Sequence, residues 1–406
     1  MNILIFNNIS NASVYGVGTY LKQVIGGLKD LSAINLSIVN LYSLSKSTEI
    51  KCIDGVRHIN IPKPQNTIFS DDNYQEKYYR NVFYLLSLII TKENIDIFHF
   101  NYVDQLILGK FIKQKYIDSK IVLTIHYIDW LVIFKGNSKK YDSFLNKNID
   151  NMNILEVKIY NKILKEKILL NESVDNIICL SNTTKNVLIS QYGVNKSKIH
   201  CIKNGLKNES KRIIKRFELG DFLAINKEST ILIYVGRISE TKGVNLLIKG
   251  FKEALKINQN LHLLIVGGGD LEIYMKEIFG LWHKITFTGK LAKEEVYNLY
   301  SISNIGVIPT YGEQCSYVAI EMMMFGLPII GTESIGLNEM ITNKNSIRIN
   351  IDNSDENLSI EALTNAILEM ASKKLADMQM YSKYYFLQKY NLSKMINKLL
   401  ALYNTH

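Results

Sequence analysis

Two cations beside glycines form the strongest chemical signal in this chain of 406 residues. An apolar run at 231–235 is followed directly by Gly236-Arg237 and then by Lys242-Gly243. Glycine lets a ligand approach the backbone, arginine offers a planar fork to phosphate oxygens, and lysine adds a point charge. A helix is predicted to begin at Gly243, and helix N-termini attract anions. The pattern predicts a clamp for a diphosphate, with a solvated loop carrying two surface cations as the alternative.

Two carboxylates, Glu313 and Glu321, follow the apolar run at 304–308. Glu321 lies among Ile320 and three methionines, where an unpaired carboxylate is costly to bury. Neutral hydroxyls, such as a ribose diol, are suitable partners for it. Glu313 precedes a predicted helix, near the N–H groups of residues 315–318, and could hold sugar hydroxyls or stabilise positive charge developing at an anomeric carbon. The alternative is that Glu313 caps the helix and Glu321 lies on its solvated face.

The first half of the chain carries weaker signals. His126 follows the apolar run at 121–125, His99 ends another predicted strand, and Gly16 and Gly18 open a predicted helix. Ligands bind outside the carboxyl ends of parallel strands, which makes all four residues candidates for a site. A buried structural histidine and a tight glycine turn are the respective alternatives.

Short apolar runs alternate with longer segments of helical period, which predicts strand–helix–strand units and largely parallel sheets. The first series of predicted elements has strands at 2–6, 35–41, 95–99, 121–125, 176–180 and 199–203 and helices at 17–29, 74–93 and 152–170. After a basic stretch at 207–216, a second series has strands at 231–235, 261–266, 284–287, 304–308 and 328–330 and helices at 243–257, 270–279, 293–301 and 316–326. A Tyr-rich segment at 378–404 is predicted to form one or two helices.

These series predict an α/β protein of two doubly wound domains that face each other across a cleft. The N-terminal domain is predicted to cover 1–206 and the C-terminal domain 207–385. A C-terminal helix within about 386–406 is predicted to pack back on the first domain.

Composition limits the class of protein. Apolar residues make up 47% and charged residues 21%, which excludes wholesale disorder. The net charge of +10 favours acidic partners, but the basic residues are dispersed and no aromatic-basic motif is present, which argues against nucleic acid. The 4 cysteines are scattered, so neither a disulfide framework nor a zinc site is expected. Without a signal-peptide pattern or a long apolar run, a cytoplasmic location is predicted.

Several strings together resemble the retaining GT-B glycosyltransferases of family four. The matching strings are Gly236-Arg237…Lys242-Gly243, Ile265-Val266-Gly267-Gly268-Gly269-Asp270, Phe287-Thr288-Gly289, Glu313-x7-Glu321, Phe325-Gly326-Leu327-Pro328 and the stretch from Ser181 to Gly205. The resemblance covers most of 176–342 in order and with the family's spacing, and it is thinner before that. It implies a GT-B fold of two Rossmann-like domains and a nucleotide diphosphate sugar as donor.

The resemblance also implies roles for single residues. Arg237 and Lys242 would contact the donor diphosphate, Glu313 the transferred sugar and Glu321 the ribose. His126 would contact the transferring sugar, so that the expected catalytic residues are His126, Arg237, Lys242 and Glu313. The complete expected donor side is Gly16, Gly18, Arg237, Lys242, Gly289, Lys290, Glu313, Cys315, Ser316, Tyr317, Val318 and Glu321, and the expected acceptor side is His99, Asp129 and Trp130.

The implied reaction is glycosyl transfer to an acceptor hydroxyl with retention of anomeric configuration. In a front-face mechanism, the leaving diphosphate takes the acceptor's proton. The sequence has no Asp-x-Asp string to hold a divalent ion, and we expect neither a metal nor another cofactor. The expected acceptor is a glycan, a lipid-linked sugar or another glycoconjugate, and peripheral contact with the inner membrane face stays open for the basic segments at 74–93 and 152–170. A same-fold nucleotide-sugar epimerase and a non-catalytic sugar-nucleotide-binding subunit are the alternatives.

Overall fold

The structure is a computed structural model that describes residues 1–9, 16–64, 72–127, 133–134, 138–210, 225–226, 228–351 and 355–405. The chain forms two compact units. The first consists of Met1–Lys203 and Met395–His406, and the second of Asn204–Lys394. Within the described ranges, no helix is both long enough and apolar enough to cross a lipid bilayer.

The first unit is built on one mainly parallel sheet. Its strands are β1 (Asn2–Asn8), β2 (Asn35–Ser43), β3 (Glu49–Ile53), β4 (Val56–Pro62), β5 (Ile97–Phe100), β6 (Lys120–Ile125), β7 (Asn176–Cys179) and β8 (Ile199–Cys201). They pair in the order β3-β4-β2-β1-β5-β6-β7-β8, and only the β3–β4 pair is antiparallel. Strand order reverses between β1 and β5, and such a reversal point is where ligands bind in doubly wound sheets.

Helices connect these strands. They are α1 (Gly16–Leu28), α2 (Asp72–Ile89), α3 (Leu106–Lys115), α4 (Ser138–Leu145), α5 (Ile154–Glu172) and α6 (Asn182–Ser190). The start of α5 is fixed by a capping box, in which the Asn153 side chain accepts from the Glu156 N–H while Glu156 accepts from the Asn153 N–H, each at 2.9 Å. The helices after β5 and β7, α3 and α6, were not predicted from the sequence.

The β3–β4 hairpin was also not predicted from the sequence. Asp54 and Gly55 join its strands, with φ angles of 50° and 80°. Positive φ at both central residues is the conformation of a type I′ turn, for which Asp-Gly is a preferred pair. This dipeptide between two short apolar segments is the signal that would have revealed the hairpin.

The second unit has a parallel sheet of its own. Its strands are β9 (Thr230–Val235), β10 (Leu261–Val266), β11 (Ile285–Gly289), β12 (Ile305–Ile308), β13 (Ile329–Thr332) and β14 (Ser346–Ile349). They pair in the order β11-β10-β9-β12-β13-β14, all parallel. This is the doubly wound order of dinucleotide-binding sheets, with the reversal between β9 and β12. The two strongest sequence motifs follow these two strands.

The remaining helices are α7 (Val244–Ile257), α8 (Glu272–Met275), α9 (Lys293–Ile302), α10 (Tyr317–Phe325), α11 (Glu356–Ser372), α12 (Ala376–Lys389) and α13 (Leu392–Tyr403). The Tyr-rich segment thus forms two helices. A helix lies within the predicted range of 270–279 but is shorter than predicted, since α8 has four residues. Ile273 and Phe279 are exposed, and Gly280 turns the chain with a φ of 79°, so too little apolar surface is buried to extend the helix.

An apolar core holds the strands of the second unit in place. Leu232, Leu263 and Val307, from three adjacent strands, are fully buried, as is Phe251 of α7. Burying each such side chain stabilises the fold by roughly 1.5–3 kcal/mol. At Gly250 of α7, a Cβ would lie 3.0 Å from the side chain of Leu363, so helix α11 packs closely there. The packed core therefore holds the strand ends, from which the site loops begin, in fixed positions.

The chain returns to the first unit later than the sequence suggested, at Met395 rather than at about 386. Helix α12 stays in the second unit, where Ser382 donates to the carbonyl of Leu327 at 3.0 Å. Helix α13 then packs on α1, and a Cβ at Gly27 would lie 2.5 Å from the side chain of Ile396. Helix α12 therefore belongs to the second unit, and the chain returns to the first unit within α13.

Candidate active site

The loop after β9 is held by the loop after β10. The Gly236 N–H donates to the Val266 carbonyl at 2.9 Å, and the Tyr234 hydroxyl donates to the Arg237 carbonyl at 2.6 Å. A Cβ at Gly267 would overlap the Gly236 carbonyl oxygen, so only glycine fits there. The backbone of Arg237 is thereby fixed, while its side chain is exposed at the carboxyl edge of the sheet.

The same loop also lies against the loop after β12. Gly243, which precedes α7, has a φ of 71°, and a Cβ there would overlap the carbonyl oxygen of Pro309. The Tyr311 N–H donates to the Thr241 carbonyl at 3.2 Å. This close approach requires glycine at position 243 and brings Lys242 to the reversal point between β9 and β12.

Lys242 and Glu313 form an ion pair in which Lys242 Nζ donates to Glu313 Oε1. Their side chains are 25% and 22% exposed, so the pair is partly shielded from water but open on one side. Partial burial makes such a pair sensitive to the loss of either member, because the remaining charge would have no partner. The two sequence motifs, 71 residues apart, therefore meet in one charged site.

The backbone of Glu313 is held by a loop that the sequence analysis missed. The Glu313 N–H donates to the Ile335 carbonyl at 3.1 Å, and a Cβ at Gly336 would overlap the Glu313 carbonyl oxygen. Gly336 has a φ of 82°, a conformation that L side chains rarely adopt. The glycine a few residues after the predicted strand at 328–330 was the available signal.

The predicted residues 315–318 lie at the start of α10. Ser316 caps the helix, since its Oγ accepts from the Ala319 N–H at 3.3 Å. The Cys315 carbonyl accepts from the Asn204 side chain at 2.8 Å. Cys315, Ser316 and Tyr317 are buried and Val318 is half-buried. The helix dipole at this N-terminus favours negative charge close to Glu313's loop.

Glu321 lies one helix turn further along α10 and is half-buried. Its Oε2 accepts from the Tyr300 hydroxyl at 3.1 Å. Burial raises the pKa of Glu321 to about 7, against the opposing effect of the Lys293 cation. Lys293 is itself 3.2 Å from Glu209. The carboxylate is thus held by a buried tyrosine and is readily protonated near neutral pH.

The predicted base-pocket residues lie at the end of β11. Gly289 has a φ of 72°, and its carbonyl accepts from the Gly267 N–H at 2.9 Å. A Cβ at Gly268 would lie 3.8 Å from the Cβ of Lys290, whose side chain is exposed. The strand ends of β9, β10 and β11 are therefore in contact. Arg237, Lys242, Glu313 and Lys290 follow strands at the carboxyl edge of this sheet, while Glu321 lies further along α10.

In the first unit, His126 follows β6 and is half-buried. Its Nε2 is 2.9 Å from the Oδ1 of Asn101, and its ring lies edge-on to Tyr20 with centroids 4.7 Å apart. Burial lowers the pKa of His126 to about 3, so the imidazole is neutral. Asn101 was not predicted as a site residue, although it directly follows β5 at the reversal point of this sheet.

His99 cannot contact an acceptor as predicted, because it has no exposed surface. Its Nδ1 is 2.5 Å from the Tyr403 hydroxyl and its Nε2 is 2.7 Å from Thr124 Oγ1. Burial lowers its pKa to about 3. His99 therefore links α13 to the sheet of the first unit.

The remaining predictions for the first unit concern a loop and two acceptor-side residues. Helix α1 begins at Gly16, which is open on its Cβ side, and Gly18 is buried in the first turn. Of the two glycines, Gly16 is the exposed one. Asp129 and Trp130 lie outside the described residues.

Comparison with known proteins gives two family matches. Residues 15–209 match the model described as Glycosyltransferase Family 4, and residues 215–384 match the model described as Glycosyl transferases group 1. The two models together match most of the chain. Lipopolysaccharide 1,2-N-acetylglucosaminetransferase of Salmonella typhimurium is 26% identical over 154 residues, which are 35% of this chain and 40% of that protein. The matches to curated relatives thus span less than half of those proteins.

Solved structures match over nearly the whole chain. Sucrose-phosphate synthase from Thermosynechococcus elongatus has a TM-score of 0.74 at 18% identity, over 99% of this chain and 98% of that one. An Anabaena protein solved in complex with UDP and glucose has a TM-score of 0.71 at 15% identity, over all of both chains. At these identities the likeness concerns the fold.

Proposed function

The chain belongs to the group 1 glycosyltransferase family and has the predicted GT-B fold class, with two parallel-sheet domains, and from this we propose its activity. The protein transfers a glycosyl group from a nucleotide diphosphate sugar to an acceptor hydroxyl, with retention of anomeric configuration. The products serve glycan, polysaccharide or glycoconjugate biosynthesis, as the name of the Salmonella relative suggests for that protein.

The observation that carries the proposal is the Lys242–Glu313 pair at the reversal point of the second sheet. A diphosphate sugar combines a dianionic leaving group with a sugar that becomes positively charged in the transition state. The site offers one partner for each, since Lys242 can bind phosphate and Glu313 can stabilise the sugar. Arg237 and the N-terminus of α10 add positive charge at the same sheet edge.

In the proposed reaction, the bond between the anomeric carbon and the diphosphate breaks while the acceptor oxygen bonds to the same face of the sugar. The leaving diphosphate oxygen takes the proton of the acceptor hydroxyl. Lys242 and Arg237 neutralise the charge that develops on the leaving group, and His126 is the proposed contact of the first unit with the sugar. Electrostatic stabilisation of this kind contributes roughly 3–4 kcal/mol per well-placed group.

A screen of nucleotide sugars tests the activity. The protein is incubated with UDP-, GDP-, ADP- and dTDP-sugars and a mixture of glycan acceptors, and release of the nucleoside diphosphate is measured. We expect release from one nucleotide class, and proton NMR of the product should show the donor's anomeric configuration. An inverted product would refute the front-face mechanism, and an epimerised sugar without transfer would favour the epimerase.

We propose that transfer does not require a divalent metal ion. Side-chain cations at Arg237 and Lys242 supply the charge that a metal supplies in other transferases. The rate of diphosphate release should therefore be unchanged by EDTA, to within about twofold, after dialysis against the chelator. Loss of activity that magnesium or manganese restores would contradict this prediction.

Binding of the nucleotide sugar should weaken as the pH falls, through Glu321. Only the ionised carboxylate can accept hydrogen bonds from both hydroxyls of a ribose, and its pKa is raised by burial to about 7. The KM for the donor should rise up to about tenfold per pH unit below that pKa, where the protonated form predominates. The Glu321→Gln variant should have a high KM without this dependence. An unchanged slope in that variant would assign the titration to another group.

Because the expected acceptors include lipid-linked sugars, we also propose that the protein contacts an anionic membrane surface through α5. Ile154 and Leu155, at its start, are 80% and 67% exposed, and Ile168 on the same helix is 49% exposed. Lys158 and Lys165 lie among them at helical spacing. A face that mixes exposed apolar residues with lysines is suited to the interface of an anionic bilayer. The other basic helix of the sequence analysis, α2, carries an ion pair between Arg80 and Glu76.

Vesicle sedimentation tests this contact. The protein should sediment with phosphatidylglycerol-containing vesicles, and Leu155→Asp should lower the bound fraction several-fold because it puts a charge into the apolar face. Ile257→Asp is the matched control, since Ile257 is 73% exposed at the end of α7 in the second unit. Equal binding of all three proteins, or no binding of the unmodified one, would refute the proposal.

A further inference from the structure

The amide of Asn101 has a fixed orientation, and this orientation determines which ring nitrogen of His126 carries the hydrogen. Asn101 Nδ2 donates to the main-chain carbonyl of Phe6 at 2.9 Å. A carbonyl oxygen can only accept, so the amide nitrogen must face Phe6 and Oδ1 must face the opposite way. On that side lies His126 Nε2, at 2.9 Å from Oδ1.

The surroundings of Asn101 prevent its amide from turning over. Asn101 and Gln105 are 1% and 0% exposed. The Asn101 N–H donates to Gln105 Oε1 at 2.9 Å, and Gln105 Nε2 donates to Asn8 Oδ1 at 2.7 Å. A reversed amide would place two acceptor oxygens, those of Asn101 and Phe6, against each other away from water. The network therefore permits one orientation.

The orientation of Asn101 sets the tautomer of His126. Because Asn101 Oδ1 is an acceptor, the hydrogen between the two residues must be carried by His126 Nε2. A neutral imidazole has one N–H, which leaves a lone pair on Nδ1. Among the described residues none is hydrogen-bonded to Nδ1, and the planes of the Tyr20 and His126 rings lie at 70° to each other. His126 thus presents an acceptor nitrogen.

We propose that Asn101 is a positioning residue that holds His126 as the Nε2–H tautomer, so that Nδ1 selects a donor sugar with a hydroxyl, rather than a carboxylate, facing it. The proposal rests on the function proposed above, in which His126 contacts the transferred sugar. It excludes an ionised carboxylate from the sugar position that faces Nδ1.

The selectivity follows from hydrogen-bond complementarity. A sugar hydroxyl can donate to the Nδ1 lone pair, whereas an ionised carboxylate has only acceptors and would face that lone pair without a hydrogen between them. The imidazole stays neutral because its burial lowers the pKa to about 3, so it does not gain a second N–H at neutral pH. A site that hydrogen-bonds a substrate hydroxyl discriminates strongly against analogues that cannot form the bond.

The tautomer can be measured without any substrate. The full chain, labelled with ¹⁵N-histidine, is examined by long-range ¹H–¹⁵N correlation at neutral pH, and His126 is assigned by its absence in His126→Gln. We expect the Nε2–H pattern in the unmodified protein and a mixture of tautomers in Asn101→Ala. Asn40→Ala is the matched control, because Asn40 is 8% exposed and hydrogen-bonded to Asn60 and Asn7 in the same sheet. An Nδ1–H pattern, or one that Asn101→Ala leaves unchanged, would overturn the positioning role.

Should Asn101→Ala not fold, Asn101→Ser is used in its place, because serine is small and uncharged and lacks the amide. It should show the mixture of tautomers expected of the alanine variant, and a spectrum like that of the unmodified protein would count against the proposal. Thermal unfolding of each variant establishes that it is folded before its spectrum is interpreted.

The sugar contact is measured with the donor that the screen selects and with its deoxy analogues, each of which lacks one sugar hydroxyl. One analogue, the one without the hydroxyl that faces Nδ1, should lose at least about tenfold in kcat/KM, and Asn101→Ala should reduce this loss while leaving the Kd for the free nucleoside diphosphate unchanged. If Asn101→Ala changed the loss for none of the analogues, the selectivity would be refuted. Absence of transfer from every donor would refute the proposed function, while the NMR result would still decide the tautomer.

Discussion

Replacing Lys242 by alanine should lower kcat/KM for diphosphate release by about a thousandfold, which corresponds to roughly 4 kcal/mol of transition-state stabilisation. The leaving diphosphate gains charge as its bond to the sugar breaks, and Lys242 is held at the reversal point of the sheet by the close approach of Gly243 to Pro309. Without the ammonium group, the nucleoside diphosphate should bind more weakly and its release from the donor should be slower. Calorimetry with the free nucleoside diphosphate should therefore show weaker binding.

Lys249→Ala is the matched control for this experiment. Lys249 forms an ion pair with Glu356 at 2.8 Å in the same unit, on α7, and this pair is more exposed than that of Lys242. Exposed pairs contribute about 0–1 kcal/mol, so this variant should retain activity and stability. Lys242→Arg keeps the charge and should recover part of the rate. Activity of Lys242→Ala at the level of Lys249→Ala would end the assignment of Lys242 to the diphosphate.

Replacing Glu313 by glutamine should have a similar effect on kcat but the opposite effect on nucleotide binding. Glutamine has nearly the same size, yet it lacks the negative charge that stabilises a positively charged sugar in the transition state, so kcat should fall by about a hundredfold to a thousandfold. In the ligand-free protein Lys242 is engaged by Glu313. Without that carboxylate the ammonium group is released for the phosphates, and the Kd of the nucleoside diphosphate should stay the same or decrease.

The comparison of the two variants distinguishes a catalytic pair from a structural ion pair. If the pair served only the fold, both variants would lose stability to a similar extent and neither would affect nucleotide binding selectively. Glu356→Gln controls for the loss of a carboxylate elsewhere in the unit. Normal turnover by Glu313→Gln, with normal product stereochemistry, would remove Glu313 from the proposed mechanism.

The ion pair also implies an order of events at the site. A diphosphate that approaches Lys242 must compete with Glu313 for the ammonium group, and its own negative charge favours the exchange. The freed carboxylate is then available to the sugar attached to the same diphosphate. Binding of the donor and activation of Glu313 would in this way be a single step.

The second unit was largely predictable from the sequence because its signals are local. Apolar runs of strand length followed by Gly236, by Pro309 or by Thr288-Gly289 indicate both the strands and the loops at their carboxyl ends. A parallel sheet brings those ends to one edge by its topology alone. The helix predicted over 270–279 was too long, because apolar spacing alone does not show whether Ile273 and Phe279 have anything to pack against.

Strand ends and glycine positions are local features of the chain, and they were enough to predict the fold class, two domains and the candidate residues of the second unit. Which of these candidates share a site, and in what state, depends on contacts made in the folded chain. Lys242 forms an ion pair with Glu313, 71 residues away, and Gly336 packs against the backbone of Glu313 from a third loop. The Phe6 carbonyl fixes the amide of Asn101, which in turn fixes the tautomer of His126. Contacts between residues far apart in the chain depend on strand order and on close backbone approach, and no local pattern encodes them. His99 and His126 both lie at strand ends, so the sequence pattern did not distinguish them. In the folded chain His99 is fully buried and in contact with the Tyr403 hydroxyl, which makes it a structural residue.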